Sequence, residues 1–172
     1  MSRNTALLLI AAILDNTLNL TSSNTTSEDI EAFKNLCFIA GVDEGWQAVY
    51  FSEVQKNIEA NLENALYQDV KHISVDMGLP EYIGQIALWN ADGIFDKVNI
   101  IRERLNARFQ NWMINIIDIK RHKGYFICEE QIFHERICRL FGVSFTDGIA
   151  ELSQPYLRKQ IIKKAKEDKL ND

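Results

Sequence analysis

Hydrophobic and polar positions divide the chain into two regions with different rhythm. It opens on an unbroken apolar run, Ala6-Leu-Leu-Leu-Ile-Ala-Ala-Ile-Leu14, closed by Asp15-Asn16-Thr17 and a polar stretch over Thr21–Ser27. Such a run reads as a buried helix or strand segment. Apolar residues then recur at Ile30, Phe33, Leu36, Cys37 and Ala40, which predicts a helix over Glu28–Ala40. Thr26 or Ser27 is placed to cap it, Glu28 and Asp29 suit the positive end of its dipole, and Gly41 stops it. Trp46, Val49, Tyr50, Val54 and Ile58 carry a second helical stretch over about Glu44–Ala65.

The period then changes to two. Val70, His72, Ser74 and Asp76 alternate with Lys71, Ile73, Val75 and Met77, a strand signature. Gly78–Glu81 reads as a turn, and Tyr82–Leu88 as the hairpin partner. Ile94–Phe109 is an amphipathic helix with Val98, Ile101, Leu105 and Phe109 on one stripe. Trp112–Ile119 is an apolar run, Lys120–Gly124 a turn, and Tyr125–Cys128 a strand. Glu130–Leu140 is helical and ends at Gly142, and a last helix spans about Pro155–Lys169, with proline in its permitted first turn. Strands alternating with helices predict an α/β fold, a mixed sheet with flanking helices. The change of rhythm places a boundary between residues 1–65, a helical segment, and residues 66–172.

Composition narrows the function classes. The 172 residues are 47% hydrophobic and 25% charged, the profile of a globular protein. A net charge of -5 argues against nucleic acid as partner, since phosphate-backbone binding leaves a basic footprint. The basic residues are nevertheless concentrated late: Arg158, Lys159, Lys163, Lys164, Lys166 and Lys169 against Glu167 and Asp168. They form either a solvated helix face or a local anion site. Cys37, Cys128 and Cys138 form no CxxC pair and read as buried free thiols of a reducing compartment. The opening apolar run is too short to span a bilayer, and no small-residue cleavage site follows it, so the expectation is a cytoplasmic chain with no membrane segment.

Common catalytic signatures are absent: no GxSxG, no P-loop, no GxGxxG, no HExxH. His72, His122 and His134 stand apart, without a second ligand at metal spacing. Trp46, Trp89 and Trp112 lie on apolar faces and read as core. Two features rise above this background. Asp15-Asn16 closes a buried run, where a carboxylate needs a partner, a cap role or a metal. Lys71 in a strand and Arg158-Lys159 in the last helix form a cationic set suited to a polyanionic phosphate.

The residues together resemble the DHH superfamily of phosphoesterases, the manganese inorganic pyrophosphatases and Prune-type exopolyphosphatases. The apolar run through Asp15-Asn16-Thr17, followed by Thr25-Thr26 and an acidic helix start, is similar to a segment that carries a metal-binding aspartate followed by threonine. Ile39-Ala-Gly-Val-Asp43 resembles the next helix end. Asp69-Val-Lys71 with Tyr82-Ile-Gly-Gln-Ile-Ala87 resembles the opening hairpin of the DHH-associated C-terminal domain, and Tyr156-Leu-Arg-Lys-Gln-Ile-Ile162 its Ser-Arg-Lys-Lys-Gln signature. On this resemblance residues 1–65 are the tail of a DHH domain with connecting helices, and residues 66–172 are the substrate-binding domain.

The resemblance implies a hydrolase of phosphoanhydride bonds, acting on pyrophosphate or polyphosphate with Mn²⁺ or Mg²⁺ in the complete enzyme. It implies Lys71, Arg158 and Lys159 as substrate-binding residues and Asp15 or Asn16 as metal ligands. Two departures qualify this. Asn16, a neutral and poorer ligand, stands at the aspartate position in an ungapped match. Tyr156-Leu157 replaces the Ser-Arg opening of the signature. The DHH motif and the remaining metal ligands have no counterpart in the chain, so no catalytic residue is assigned, and a separate DHH half is an expected partner. The alternative is a non-catalytic anion-binding or interaction module.

Overall fold

A computed structural model describes residues 1–43, 45–73 and 77–170. The chain forms two compact units, Met1–Asn57 and Ile58–Asp172. In the first, α1 (Arg3–Thr17) packs against α2 (Ser27–Ala40), and α3 begins at Trp46. Ala6, Ile10, Leu14 and Thr17 of α1 are buried, one side chain per turn. They share the core with Phe33, Leu36, Cys37 and Ala40 of α2. The Thr26 hydroxyl accepts from the Asp29 N–H at 3.2 Å and the Asp29 carboxylate accepts from the Thr26 N–H at 2.9 Å, a reciprocal cap. Gly41, at φ +64°, ends α2 in the left-handed conformation that a β-carbon disfavours.

The exit from α1 is less ordinary. Leu18, Asn19 and Leu20 all have positive φ (49°, 61° and 62°), three successive non-glycine residues in the left-handed region. Thr17 holds them there. Its hydroxyl donates to Ile13 O at 2.6 Å and accepts from the Leu20 N–H at 3.0 Å, while its carbonyl accepts from Ser22 N at 2.8 Å.

The second unit is a five-stranded mixed sheet in the order β1-β2-β3-β4-β5: Val70–His72, Tyr82–Leu88, Trp112–Asp118, Lys123–Ile127 and Ile149–Leu152. β1 and β2 are an antiparallel pair, β2 and β3 are parallel, and β3-β4 and β4-β5 are antiparallel. The parallel pair needs a crossover, supplied by α5 (Asp92–Phe95) and α6 (Val98–Arg108). Alternation assigns the two faces. One carries Ile86, Leu88, Trp112, Ile114, Ile116, Tyr125 and Ile127 and packs with Ile94, Val98, Ile101 and Leu105 of α5 and α6 and Leu66 of α4 (Leu62–Gln68). The other carries Ile83, Met113, Phe126, Ala150 and Leu152 and packs with Ile137 and Leu140 of α7 (His134–Phe141) and Ile161 and Ala165 of α8 (Arg158–Lys169).

Several sequence expectations change. The helical stretch expected to run unbroken to Ala65 is interrupted at Asn61 (φ -128°, ψ 42°), giving α3 (Trp46–Ala60) and α4. The expected helix over Ile94–Phe109 is likewise two, α5 and α6. A three-residue 3-10 turn, Gln131–Phe133, precedes α7, and α8 begins at Arg158 rather than Pro155. β5 has no counterpart in the sequence reading. Ser74, Val75 and Asp76 of the expected first strand, and Glu44 at the expected start of the second helical stretch, lie outside the described residues. Trp112 is core at 4% exposure, but Trp46 and Trp89 are only half-buried. Trp46 stacks on Tyr50 with ring centroids 5.3 Å apart. Among the described residues no cysteine forms a disulfide; Cys37 and Cys128 are buried and Cys138 partly so.

Candidate anion site

The start of α8 is fixed to the sheet by polar contacts rather than by packing alone. The Arg158 backbone N–H donates to Gln85 Oε1 at 2.6 Å, so a side chain of β2 accepts from the helix's first turn. The Asn115 amide of β3, fully buried, donates to Tyr156 O at 2.7 Å, and lies 3.4 Å from the same Gln85 oxygen. Gln160 Oε1 accepts from the Leu157 N–H at 2.6 Å, closing the turn before the helix. Gln85 and Asn115 are registered neighbours across the parallel pair. Polar groups on adjacent elements thereby satisfy one another, leaving Asn115 Oδ1 as a buried oxygen with no partner among the described residues.

Arg158 itself, 8% exposed, turns back into this joint. Its Nη2 meets the Asp69 carboxylate at 2.5 Å and its Nη1 donates to Asp69 O and, at 3.2 Å, to Ile83 O. Those carbonyls belong to the β1–β2 hairpin. Ile83 is the Cα partner of Lys71, and antiparallel partners lie about 4.5–5.5 Å apart with their side chains on one face. Because Ile83 packs against Ile161 and Ala165, that face is the one α8 covers. The structure therefore brings the strand bearing Lys71 and the helix turn bearing Arg158 and Lys159 to the same place.

The three cations differ in what they can still do. Lys71 and Lys159 are exposed, and no described acid pairs with either. The Lys159 backbone N–H has no acceptor among the described residues, at a helix N-terminus where N–H groups and the dipole favour anions. The guanidinium of Arg158 is already engaged. Farther along α8, Lys163 pairs with Glu167 at 3.7 Å and Lys164 lies over the Phe141 ring, so part of the late basic cluster is surface chemistry.

Asp15 and Asn16 stand in the last turn of α1, both exposed. The Tyr50 hydroxyl donates to Asp15 Oδ2 at 2.8 Å. Partial desolvation raises the Asp15 pKa, and that hydrogen bond opposes the rise. Asn16 donates to Ala12 O at 2.9 Å, back along its own helix. Among the described residues no group of three or more His, Cys, Asp or Glu side chains could hold a metal ion. The described residues alone thus do not amount to a Mn²⁺ or Mg²⁺ site, which needs a shell of several oxygen ligands. His134 stacks on Phe145 at 3.8 Å and bonds Cys128 O at 2.8 Å, while His72 sits 3.8 Å from Glu81.

Sequence reasoning missed Asp69, Gln85 and Asn115 as members of the joint. A buried asparagine inside Trp112–Ile119 was the available signal, since a buried amide needs partners.

A mixed sheet with helices on both faces, tied at one edge to the N-terminus of its last helix, is the class of fold this chain has. It is the fold of part of a solved protein assigned to the family II inorganic pyrophosphatases. A protein from Methanococcus jannaschii, assigned as a pyrophosphatase of that family, superposes on 97% of this chain with a TM-score of 0.76 and 22% identity. This chain spans 56% of that protein's length. An exopolyphosphatase-related protein from Bacteroides fragilis aligns over 97% of this chain and 50% of its own, at a TM-score of 0.40 and 12% identity, too low to establish a shared fold. Neither a family model nor a curated protein matches the sequence. Among the described residues no helix is long and apolar enough to cross a membrane.

Proposed function

We propose that the sheet unit binds an inorganic pyrophosphate- or polyphosphate-like anion, as the phosphate-gripping portion of a metal-dependent hydrolase of phosphoanhydride bonds. The observation that carries this reading is the joint between α8 and the β1–β2 hairpin. It sets two ammonium groups with no acid partner among the described residues, on Lys71 and Lys159, beside a helix N-terminus whose Lys159 N–H has no described acceptor. Lysine acts there as a mobile point charge that follows a flexible phosphate chain. The shared fold with the Methanococcus jannaschii protein, and the resemblance of the hairpin and Tyr156–Ile162 to DHH-superfamily pyrophosphatases, support the substrate class.

Metal activation of water belongs in this proposal to residues outside the described set, supplied by a DHH half with Mn²⁺ or Mg²⁺. No catalytic step is assigned to Asp15 or Asn16. Calorimetry with pyrophosphate, triphosphate and sulfate tests the binding. Pyrophosphate heat should fall in Lys71→Ala and in Lys159→Ala, and equal binding in both variants would remove the site. Mixing the chain with a separately expressed DHH half and Mn²⁺, then measuring phosphate release, tests the catalytic part.

A second reading, a non-catalytic anion-binding module, is favoured by one observation, the engagement of Asn16 and Asp15 with Ala12 and Tyr50. It predicts the same calorimetry and no phosphate release from a folded mixture.

A further inference from the structure

Arg158 is basic, it stands in the signature-like segment, and it lies beside Lys71. Its surroundings give it a different task. The guanidinium is bound on two nitrogens: Nη2 to the Asp69 carboxylate, and Nη1 to two main-chain carbonyls, Asp69 O just before β1 and Ile83 O in β2. Asp69 O is shared, since the Gln85 N–H also donates to it at 3.2 Å. The Arg158 side chain is 10% exposed whereas its carboxylate partner is 49% exposed, so the charge pair faces solvent through the acid and not through the base. To reach an anion the guanidinium would have to leave three acceptors, one of them the Asp69 carboxylate. A planar fork reaches such a spread set from two nitrogens, whereas an ammonium presents its three donors from one point.

We propose that Arg158 is a positioning residue: it does not touch the anion but staples the first turn of α8, and with it Lys159, to the strand that carries Lys71. Asp69 is its counterpart, holding the guanidinium in place. This rests on the anion-site reading above. Two consequences separate it from direct ligation. As a ligand, Arg158 is restrained by Asp69, so Asp69→Asn would free it and tighten pyrophosphate binding. As a staple, it needs Asp69, so the same change loosens the site and weakens binding. A ligand also contributes beside Lys159, whereas a staple makes the Lys159 contribution possible and the two effects overlap.

The experiment is calorimetric titration of the full chain with pyrophosphate, in variants Asp69→Asn, Arg158→Met, Arg158→Lys, Lys159→Ala and Arg158→Met with Lys159→Ala. The expected result is weakening on the order of tenfold in Asp69→Asn and Arg158→Met, the scale of coupling within one network. Arg158→Lys should fail to restore binding although it retains the charge. Adding Lys159→Ala to Arg158→Met should cost less than about twofold, by the non-additivity of residues acting through one contact. Tighter binding in Asp69→Asn, rescue by Arg158→Lys, or a full Lys159→Ala effect in the Arg158→Met background would overturn the proposal. If Arg158→Met does not fold, Asp69→Asn decides by sign alone. Lys71→Ala and Lys159→Ala that both bind as the parent does would overturn the anion site itself, a failure distinguishable from that of the staple.

Discussion

Asp118 closes β3 with a fully buried carboxylate, and its removal gives a prediction whose size can be worked out. Oδ2 accepts from the Ala91 N–H at 3.0 Å and Oδ1 from the Arg121 N–H at 2.8 Å. Ala91 is itself 0% exposed, so in Asp118→Ala its N–H loses its acceptor where water is scarce. A buried donor left unmade costs about 1–3 kcal/mol, and one bonded to a charge sits at the upper end. The Arg121 N–H is only part-buried, so water recovers most of its loss and about 1 kcal/mol is assigned there. The ion pair with Arg121 Nη1, at 3.7 Å to a half-exposed guanidinium, adds little. The sum is about 3–4 kcal/mol for Asp118→Ala. Asp118→Asn retains one acceptor oxygen and turns an NH₂ toward the other donor, for about 2 kcal/mol. Urea unfolding followed by tryptophan fluorescence measures both, provided the m-value is unchanged. Amide exchange at Ala91 should quicken first. A loss below about 1 kcal/mol in Asp118→Ala, or slower exchange at Ala91, would refute the view that this carboxylate satisfies the β2 and β3 ends.

Other outcomes follow from single environments. Burial pushes the Cys128 thiol up to about 12, so the native state keeps its proton while the unfolded chain ionises from about pH 9; that stabilisation is complete below pH 9 and is lost as pH rises towards 12. Melting temperature against pH should therefore fall more steeply in the parent than in Cys128→Ala, and a thiol reagent should label Cys138 before Cys128. In Gly124→Ala the new β-carbon meets Leu152 Cδ1 at 2.8 Å and Gln154 O and Pro155 Cα at 3.4 Å, so overpacking should cost about 1–3 kcal/mol in urea unfolding. Thr26→Ala removes one side of the reciprocal cap of α2 and should cost about 1 kcal/mol, read by the same method, with faster exchange at Asp29. Phe126→Ala empties a fully buried ring site on the α8 face and should cost about 3–5 kcal/mol.

Local signals in the sequence survived folding where one residue type settles one geometry. Thr26, Asp29 and Gly41 delimit α2 because capping is a contact between near neighbours. The β1–β2 hairpin was legible from its alternation and from Gly78, which adopts φ +62°. The break at Asn61 was not, because Ile58, Leu62 and Leu66 continue a helical spacing through it and pack on one cluster. β3 is buried at every position, so its apolar run has no period to read. β5 is four residues long and pairs with β4, the one neighbouring strand among the described residues. At the candidate site the basic residues were visible and their division of labour was not. What distinguishes Arg158 from Lys159 is Asp69, and no spacing rule relates positions so distant.

That distance has a consequence for the order in which the chain acquires its parts. Arg158 and Asp69 are separated by 89 positions. β1 has only three residues, too short to hold its place by pairing alone. During synthesis the hairpin leaves the ribosome long before the residue that fastens it, and until then its arm is a frayed edge open to mispairing. Completion of α8 is then the event that at once closes that vulnerability and sets Lys159 beside Lys71. Chains interrupted before residue 158 would carry all five strands but neither Arg158 nor Lys159, and so neither the fastening of the hairpin nor the site proposed beside it.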